Sequence, residues 1–200
     1  MLKTTFLLII SYLIGSIPFG YLIGICLGRD IRKHGSGNIG ATNVFRVLGK
    51  KWGILTFILD FAKGLSAPCL VAYFGHSKGL AVILSVILVV CGHNWTVFLQ
   101  FKGGKGVATS LGAICGLGFI FWHLWIALLL GILTWILIFS ISKIVSLASL
   151  IASSVFFVSC LFMPLSWEFK LLAFLLLVFI VFRHKSNIGK LLSGKENRFK

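Results

Sequence analysis

Apolar runs long enough to cross a bilayer, divided by clusters of lysine and arginine, fill most of this 200-residue chain. A chain that is 58% hydrophobic, with a mean hydropathy of +1.06, has no room for a separate soluble domain. Backbone polar groups in hydrocarbon have no water to bond, so such runs are expected to be helices. The first run, MLKTTFLLIISYLIG and onward through Pro18 to about Leu27, resembles a signal peptide. It lacks a convincing cleavage site followed by a soluble chain and is read as a retained first helix.

The charges set the topology. There are 19 Lys and Arg against 4 Asp and Glu, a formal net charge of +15. Arg29, Arg32, Lys33, Arg46, Lys50 and Lys51 form one cluster, Lys102 and Lys105 a second, and Lys143 stands alone. Arg183, Lys185, Lys190, Lys195, Arg198 and Lys200 form the last. Basic loops stay in the cytoplasm, and the same cations would attract phosphorylated ligands. With every cluster inside, each interval between clusters crosses an even number of times. Residues 52–101 break at 74–79, residues 107–140 form a hairpin of two short helices turning near GLGFIFWH, and residues 144–182 break at 163–168. The expected fold is an all-α integral membrane protein with seven transmembrane helices, some of them short, in one polytopic domain over residues 1–200. Its N-terminus lies outside and its C-terminus in the cytoplasm, leaving Lys3, Lys78, Lys170 and Glu168 on the outer side. Five spans is the competing count, because the two helices of the 107–140 hairpin have only about 16 residues each.

Three chemically odd segments fall on the cytoplasmic face. The first is GSGNIGATN, residues 35–43. Its small residues permit φ > 0 and could turn successive N–H groups toward an anion. Ser36, Gly37, Asn38, Thr42 and Asn43 add hydrogen-bonding capacity, and Arg46 follows close behind. The alternative is a polar loop with capping residues.

The second is GHNWTVFLQFKGGKG, residues 92–106. FKGGKG followed by VATSLG reads as a glycine loop opening a helix, whose unbonded N–H groups favour phosphate. Lys102, Gly103, Gly104, Lys105 and Gly106 belong to that loop, with Lys105 a point charge for the phosphate. The GxxxxGK[ST] spacing of a nucleotide loop is missing. His93 reads equally as a structural or a catalytic histidine.

The third joins SKIVSLAS (142–149) to RHKSNIGKLLSGKE (183–196). Ser146 and Ser149 share a helix face, as do His184 and Asn187. A serine in a membrane helix also commonly bonds its own backbone or a neighbouring helix.

Two anion-holding loops imply two phosphates: group transfer between phosphorylated ligands, or one ligand held at both ends. The four acids are Asp30, Asp60, Glu168 and Glu196, too scattered for a metal or an acid–base dyad. Cys26, Cys69, Cys91, Cys115 and Cys160 sit in or beside apolar runs and read as small apolar residues. Positioning and charge stabilisation remain, with a substrate phosphate as the base. Asp60 and Lys63, three apart within the second span, read first as a self-neutralising pair. Orientation of the basic loops is the alternative reading of that pair.

GSIPFG (15–20), GSGNIGATN, LDFAKG, GHNWTVFLQFKGGKGVAT, SLAS and RHKSNIGKLLSGKE occur in this order nearly end to end. Together they resemble the bacterial acyl-phosphate-dependent glycerol-3-phosphate acyltransferases. The resemblance implies a seven-helix inner-membrane enzyme that moves a fatty acyl group from acyl phosphate to the 1-hydroxyl of glycerol 3-phosphate. The products are lysophosphatidic acid and phosphate, the first step toward phospholipids. It implies no cofactor or metal and no nucleic acid. The expected partners are the two substrates, membrane lipids and, as a candidate, an enzyme supplying acyl phosphate. Carried onto this chain, Ser36, Lys105 and His184 take catalytic roles. Lys105 and Gly103, Gly104 and Gly106 would hold acyl phosphate, and Arg46, His184 and Asn187 glycerol 3-phosphate. Gly37, Asn38, Thr42, Asn43, His93, Lys102, Ser146 and Ser149 complete the expected binding set. Ile39, Thr96 and Ile144 depart from the family pattern, which has proline, proline and tyrosine there. The HxxxxD signature of the other glycerol-phosphate acyltransferases is absent. The rival readings are an organic-phosphate transporter, disfavoured by the apolar outer halves of the helices, and an anionic-lipid-binding assembly factor.

Overall fold

The computed structural model describes residues 2–76 and 79–199. Lys78, expected outside, and Lys200, in the last basic cluster, lie beyond the described residues. All regular structure among those residues is helical, in ten α-helices and two 3-10 turns that form two compact units, Met1–Ile120 and Phe121–Lys200.

The first unit holds α1 (Leu2–Ser16), α2 (Phe19–Cys26), α3 (Ala41–Leu48), α4 (Lys50–Phe74), α5 (Leu80–Asn94) and α6 (Val107–Gly118). The first apolar run is broken: α1 and α2 meet at 43° around Ile17 and Pro18, where proline removes a backbone donor. Pairing within this unit uses glycine to bring backbones together. A Cβ on Gly15 of α1 would strike the Val89 carbonyl of α5, and one on Gly92 of α5 would strike the Tyr12 carbonyl of α1. On α6, Gly112 and Gly116 form a GxxxG face against Phe61 and Leu65 of α4, while Gly64 of α4 abuts Thr109 of α6. In a membrane, close packing of this kind drives helix association.

The second unit holds α7 (Leu124–Ser142), α8 (Val145–Phe162), α9 (Trp167–Arg183) and α10 (Lys185–Leu192). Helices α7 and α8 pack on each other, and α8 on α9. Much of α7 stays uncovered: Ile126, Leu129, Leu133, Ile136 and Leu137 are exposed, a surface suited to hydrocarbon rather than water. Helix α10 bends 63° from α9 and buries no residue.

Four segments, Lys50–Phe74, Leu80–Leu99, Leu124–Ser142 and Val145–Phe162, are each long and apolar enough to cross a membrane. Counting each bent pair as one crossing makes six among the described residues. The expected hairpin over 107–140 is corrected. Its turn falls where expected, at residues 119–123, but the arms are unequal, 12 residues in α6 and 19 in α7. At 1.5 Å per residue α6 reaches about 18 Å, little more than half of a ~30 Å hydrocarbon core. Its glycine face, which holds it on α4 within the protein, is the physical reason that so short a helix persists.

Candidate active site

The first glycine segment is built by one side chain. Asp30 caps the 3-10 turn Ile31–Lys33, and Gly35 and Gly37 take left-handed φ values of 62° and 71° to reverse the chain. Asn43, in the first turn of α3 and 2% exposed, then closes the loop. Its Oδ1 accepts from the Ser36 amide at 2.8 Å, and its Nδ2 donates to the carbonyls of Ile31 and His34 at 3.1 and 3.2 Å. Asn43 therefore spends its carboxamide on the loop. Asn38 Oδ1 accepts from the Gly40 amide at 2.9 Å, an Asx turn. Ser36, Gly37 and Arg46 remain exposed on this scaffold, and Thr42 is half-buried.

Arg32 donates to Asp30 through Nε and Nη2, at 3.0 and 2.8 Å, and stacks over Tyr21 at 4.4 Å. That side-chain hydrogen bond holds the Asp30 carboxyl down at about 2. The acid is thus committed to its own loop rather than to proton transfer near neutrality.

The second segment leaves α5 through Trp95 and a 3-10 turn, Val97–Leu99. Thr96, at a position where the family pattern has proline, donates to the Ser16 carbonyl at 2.5 Å and accepts from the Phe98 amide at 3.2 Å. Tyr12 donates to the Trp95 carbonyl at 2.8 Å, so α1 is tied to this turn twice. Leu99 then packs with Ile31, Ile39 and Val44, which brings the first and second segments onto one apolar floor. Ile39, the other departure from the pattern in this unit, is part of that floor, 5% exposed.

The glycine loop lies across the end of α5. The Gly103 amide donates to the Asn94 carbonyl at 3.2 Å and the Gly104 amide to the His93 carbonyl at 3.0 Å. The first expectation for these glycines is thereby revised. Both amides satisfy the last carbonyls of α5, and both residues are glycine because a Cβ would enter the atoms beneath. Gly106, at φ 78°, turns the chain into α6, where Ser110 is the first residue to bond back, to the Gly106 carbonyl at 2.7 Å. The preceding amides, Val107 to Thr109, open the helix, and their partial positive charge suits an anion. Lys105 is half-buried beside them and Lys102 is exposed. His93 is 5% exposed, and its Nδ1 lies 3.5 Å from Asp60 Oδ1, so it supports the loop from below instead of facing outward.

The third segment is assembled within the second unit. Ser146 Oγ donates to Glu196 Oε1 at 3.0 Å, and Asn187 Nδ2 donates to the same oxygen at 2.7 Å. The chain end folds back here, with the Phe199 amide bonded to the Lys143 carbonyl at 2.7 Å. His184, at the junction of α9 and α10, is 2% exposed, with Nδ1 2.8 Å from the Ile180 carbonyl. A carbonyl only accepts, so Nδ1 carries the proton and Nε2 is the nitrogen directed elsewhere. Ser149 accepts from Trp135 Nε1 at 3.2 Å, a helix-to-helix bond that gives this serine a structural task. Sequence reasoning missed Glu196 and Trp135. The signal for Glu196 was its place as the single acid of the third segment.

The glycerol-3-phosphate acyltransferase family model matches residues 5–194. This chain belongs to the glycerol-3-phosphate acyltransferase family. It is 42% identical over 193 residues to the glycerol-3-phosphate acyltransferase of Desulforudis audaxviator, covering 95% of this chain and 92% of that one. It is 41% identical over 200 residues to that of Aquifex aeolicus, covering 99% and 100%. The fold is similar to crystal structures of PlsY (YgiH), an integral membrane glycerol 3-phosphate acyltransferase. For its glycerol 3-phosphate form the TM-score is 0.91 at 38% identity, covering 98% of this chain and 96% of that one. For its lysophosphatidic acid form the TM-score is 0.88, covering 98% and 95%.

Proposed function

We propose that this chain is the membrane enzyme that acylates the 1-hydroxyl of glycerol 3-phosphate to lysophosphatidic acid, with acyl phosphate as donor. The observation that supports the reading is the loop 102–106, which leads from the half-buried Lys105 through Gly106 straight into the opening turn of α6, whose first amides favour a phosphate. The substrate hydroxyl attacks the acyl carbonyl carbon, the new ester C–O bond forms, and the bond from that carbon to the phosphate oxygen breaks. The departing phosphate takes the hydroxyl proton, so no protein carboxylate is required. Lys105 and the α6 amides stabilise charge on acyl phosphate. Arg46 and Ser36 on the first loop bind and orient glycerol 3-phosphate, a role that the family resemblance also gives to Asn187 and His184. Both sets of residues are assigned to the same reaction, and residues 1–200 to one catalytic domain, because the family match runs through both units.

The same reading takes the protein as a multi-pass component of the bacterial inner membrane with its site on the cytoplasmic side, supported by the basic clusters. Seven crossings follow if α6 counts as one. Cysteines introduced at Ile120 and Ser166 then label from outside and one at Ser36 from the cytoplasm; labelling of all three from one side would refute that count. An enzyme that makes acyl phosphate is the expected supplier of the donor.

The test is an assay of purified protein in detergent with palmitoyl phosphate and radiolabelled glycerol 3-phosphate. Lysophosphatidic acid and free phosphate should form in equal amounts without added acyl-CoA or acyl carrier protein. Folded protein that binds glycerol 3-phosphate yet makes no lysophosphatidic acid would refute the reading.

A further inference from the structure

Asp60 and Lys63 lie within α4, each side chain only 3% exposed, with Lys63 Nζ 2.9 Å from Asp60 Oδ1. Two charges inside a membrane helix are costly, and an ion pair with no other task can be replaced by apolar residues at little loss. This pair reaches further than a self-neutralising one. Lys63 Nζ also donates to the Ile17 carbonyl at 2.7 Å, at the break between α1 and α2, and lies 5.5 Å from the Phe19 ring centroid. Asp60 Oδ1 faces His93 Nδ1 at 3.5 Å. The far edge of the same imidazole is the surface on which the glycine loop rests. A Cβ on Gly104 would run into His93 Nε2 and come within 2.8 Å of Cε1 and 3.0 Å of Cδ2. The Gly104 amide is meanwhile bonded to the His93 carbonyl. The ring is thus held between a buried ion pair on one side and the loop backbone on the other. A shift of the ring would be felt directly at Gly104, next to Lys105.

We propose that Asp60 is a positioning residue for acyl transfer. Anchored by Lys63, it fixes the His93 ring that floors the glycine loop, and so sets where that loop presents Lys105 and the opening amides of α6. The proposal rests on the reading that this loop holds a substrate phosphate. It differs from a purely structural role in what it does to kinetics. A general loss of fold lowers the active fraction and leaves both KM values unchanged. A displaced loop weakens the one substrate whose phosphate it holds.

The experiment compares wild type, Asp60→Asn/Lys63→Met and Gly104→Ala, purified in detergent, with palmitoyl phosphate and glycerol 3-phosphate each titrated at saturating partner. Thermal unfolding is followed in parallel. Gly104→Ala disturbs the loop from above and the double variant from below. Both should raise the KM of the same substrate and leave the other within twofold, and the double variant should lose at least tenfold in kcat/KM for the affected substrate. A double variant within twofold of wild type would mean that the pair only neutralises itself, and would overturn the proposal. So would a fall in kcat with both KM values unchanged. If the double variant does not accumulate as folded protein, His93→Gln carries the test, because it keeps the ion pair and changes only the ring. A one-substrate KM rise supports the proposal, and unaltered kinetics overturn it. Inactive wild type would instead sink the acyl-transfer reading itself, a result distinct from active wild type with indifferent variants.

Discussion

Loops 35–43 and 102–106 have similar compositions, rich in glycine and flanked by cations, and they are held in different ways. The first is closed by a side chain: Asn43 bonds three backbone groups, and glycine is needed chiefly where φ is positive, at Gly35 and Gly37. The second is closed by backbone: Gly103 and Gly104 lie so near the end of α5 that their amides bond its carbonyls and no side chain fits beneath them. A side-chain closure leaves neighbouring residues free to vary in shape. A backbone closure makes glycine obligatory and transmits any movement of α5 to the loop.

The sharpest way to break this comparison is Gly103→Ala. Its methyl would enter the His93 carbonyl and come within 2.7 Å of the Asn94 carbonyl carbon and oxygen, atoms that cannot rotate aside. Overpacking against backbone costs about 1–3 kcal/mol. Activity should fall at least tenfold by the lysophosphatidic acid assay, because the loop must lift from α5. Asn43→Ala comes next. It removes the partner of the Ser36 amide and of two carbonyls, at about 2–3 kcal/mol for groups left unsatisfied. Thermal unfolding in detergent should show that loss, with glycerol 3-phosphate binding weakened as Ser36 is released.

Asp30→Asn should have the smallest effect. Asparagine also caps, and the half-buried carboxyl serves only its own surface loop, so activity at pH 7 should stay within twofold. The folded value of about 2 lies below the ordinary 3.8, so the pair's stabilisation is present above that ordinary value and is lost as pH falls through about 2. Hydrogen exchange in residues 29–35 should rise between pH 4 and pH 2 in wild type relative to the variant.

Much of this molecule was legible in its sequence, for reasons that differ between its parts. Apolar run length marked the helices, since hydrocarbon leaves the backbone no alternative. The motifs marked the loops. What periodicity could not reveal was how a helix is shared between membrane and protein. Helix α6, only 12 residues long, is buried on α4 through Gly112 and Gly116, a property of a neighbouring helix and not of its own hydropathy. At the site, residue type announced that polar groups were needed but not which way they point. Asn43 and His93 face inward and Ser149 bonds Trp135, because only the tertiary structure brings their acceptors and donors within reach. Glu196 was passed over because carboxylates were weighed as metal ligands or bases, whereas this one gathers Ser146 and Asn187 by accepting from both.

Lys105→Ala tests the central claim most directly, because the account places the charge of a substrate phosphate at that ammonium. Measured on purified, correctly folded protein, kcat/KM for lysophosphatidic acid formation should fall about 100-fold or more, the size expected for losing a charge-stabilising group at a reacting centre. Membrane insertion and thermal unfolding should stay as in wild type. Undiminished turnover in that variant would contradict the claim that loop 102–106 holds the phosphate.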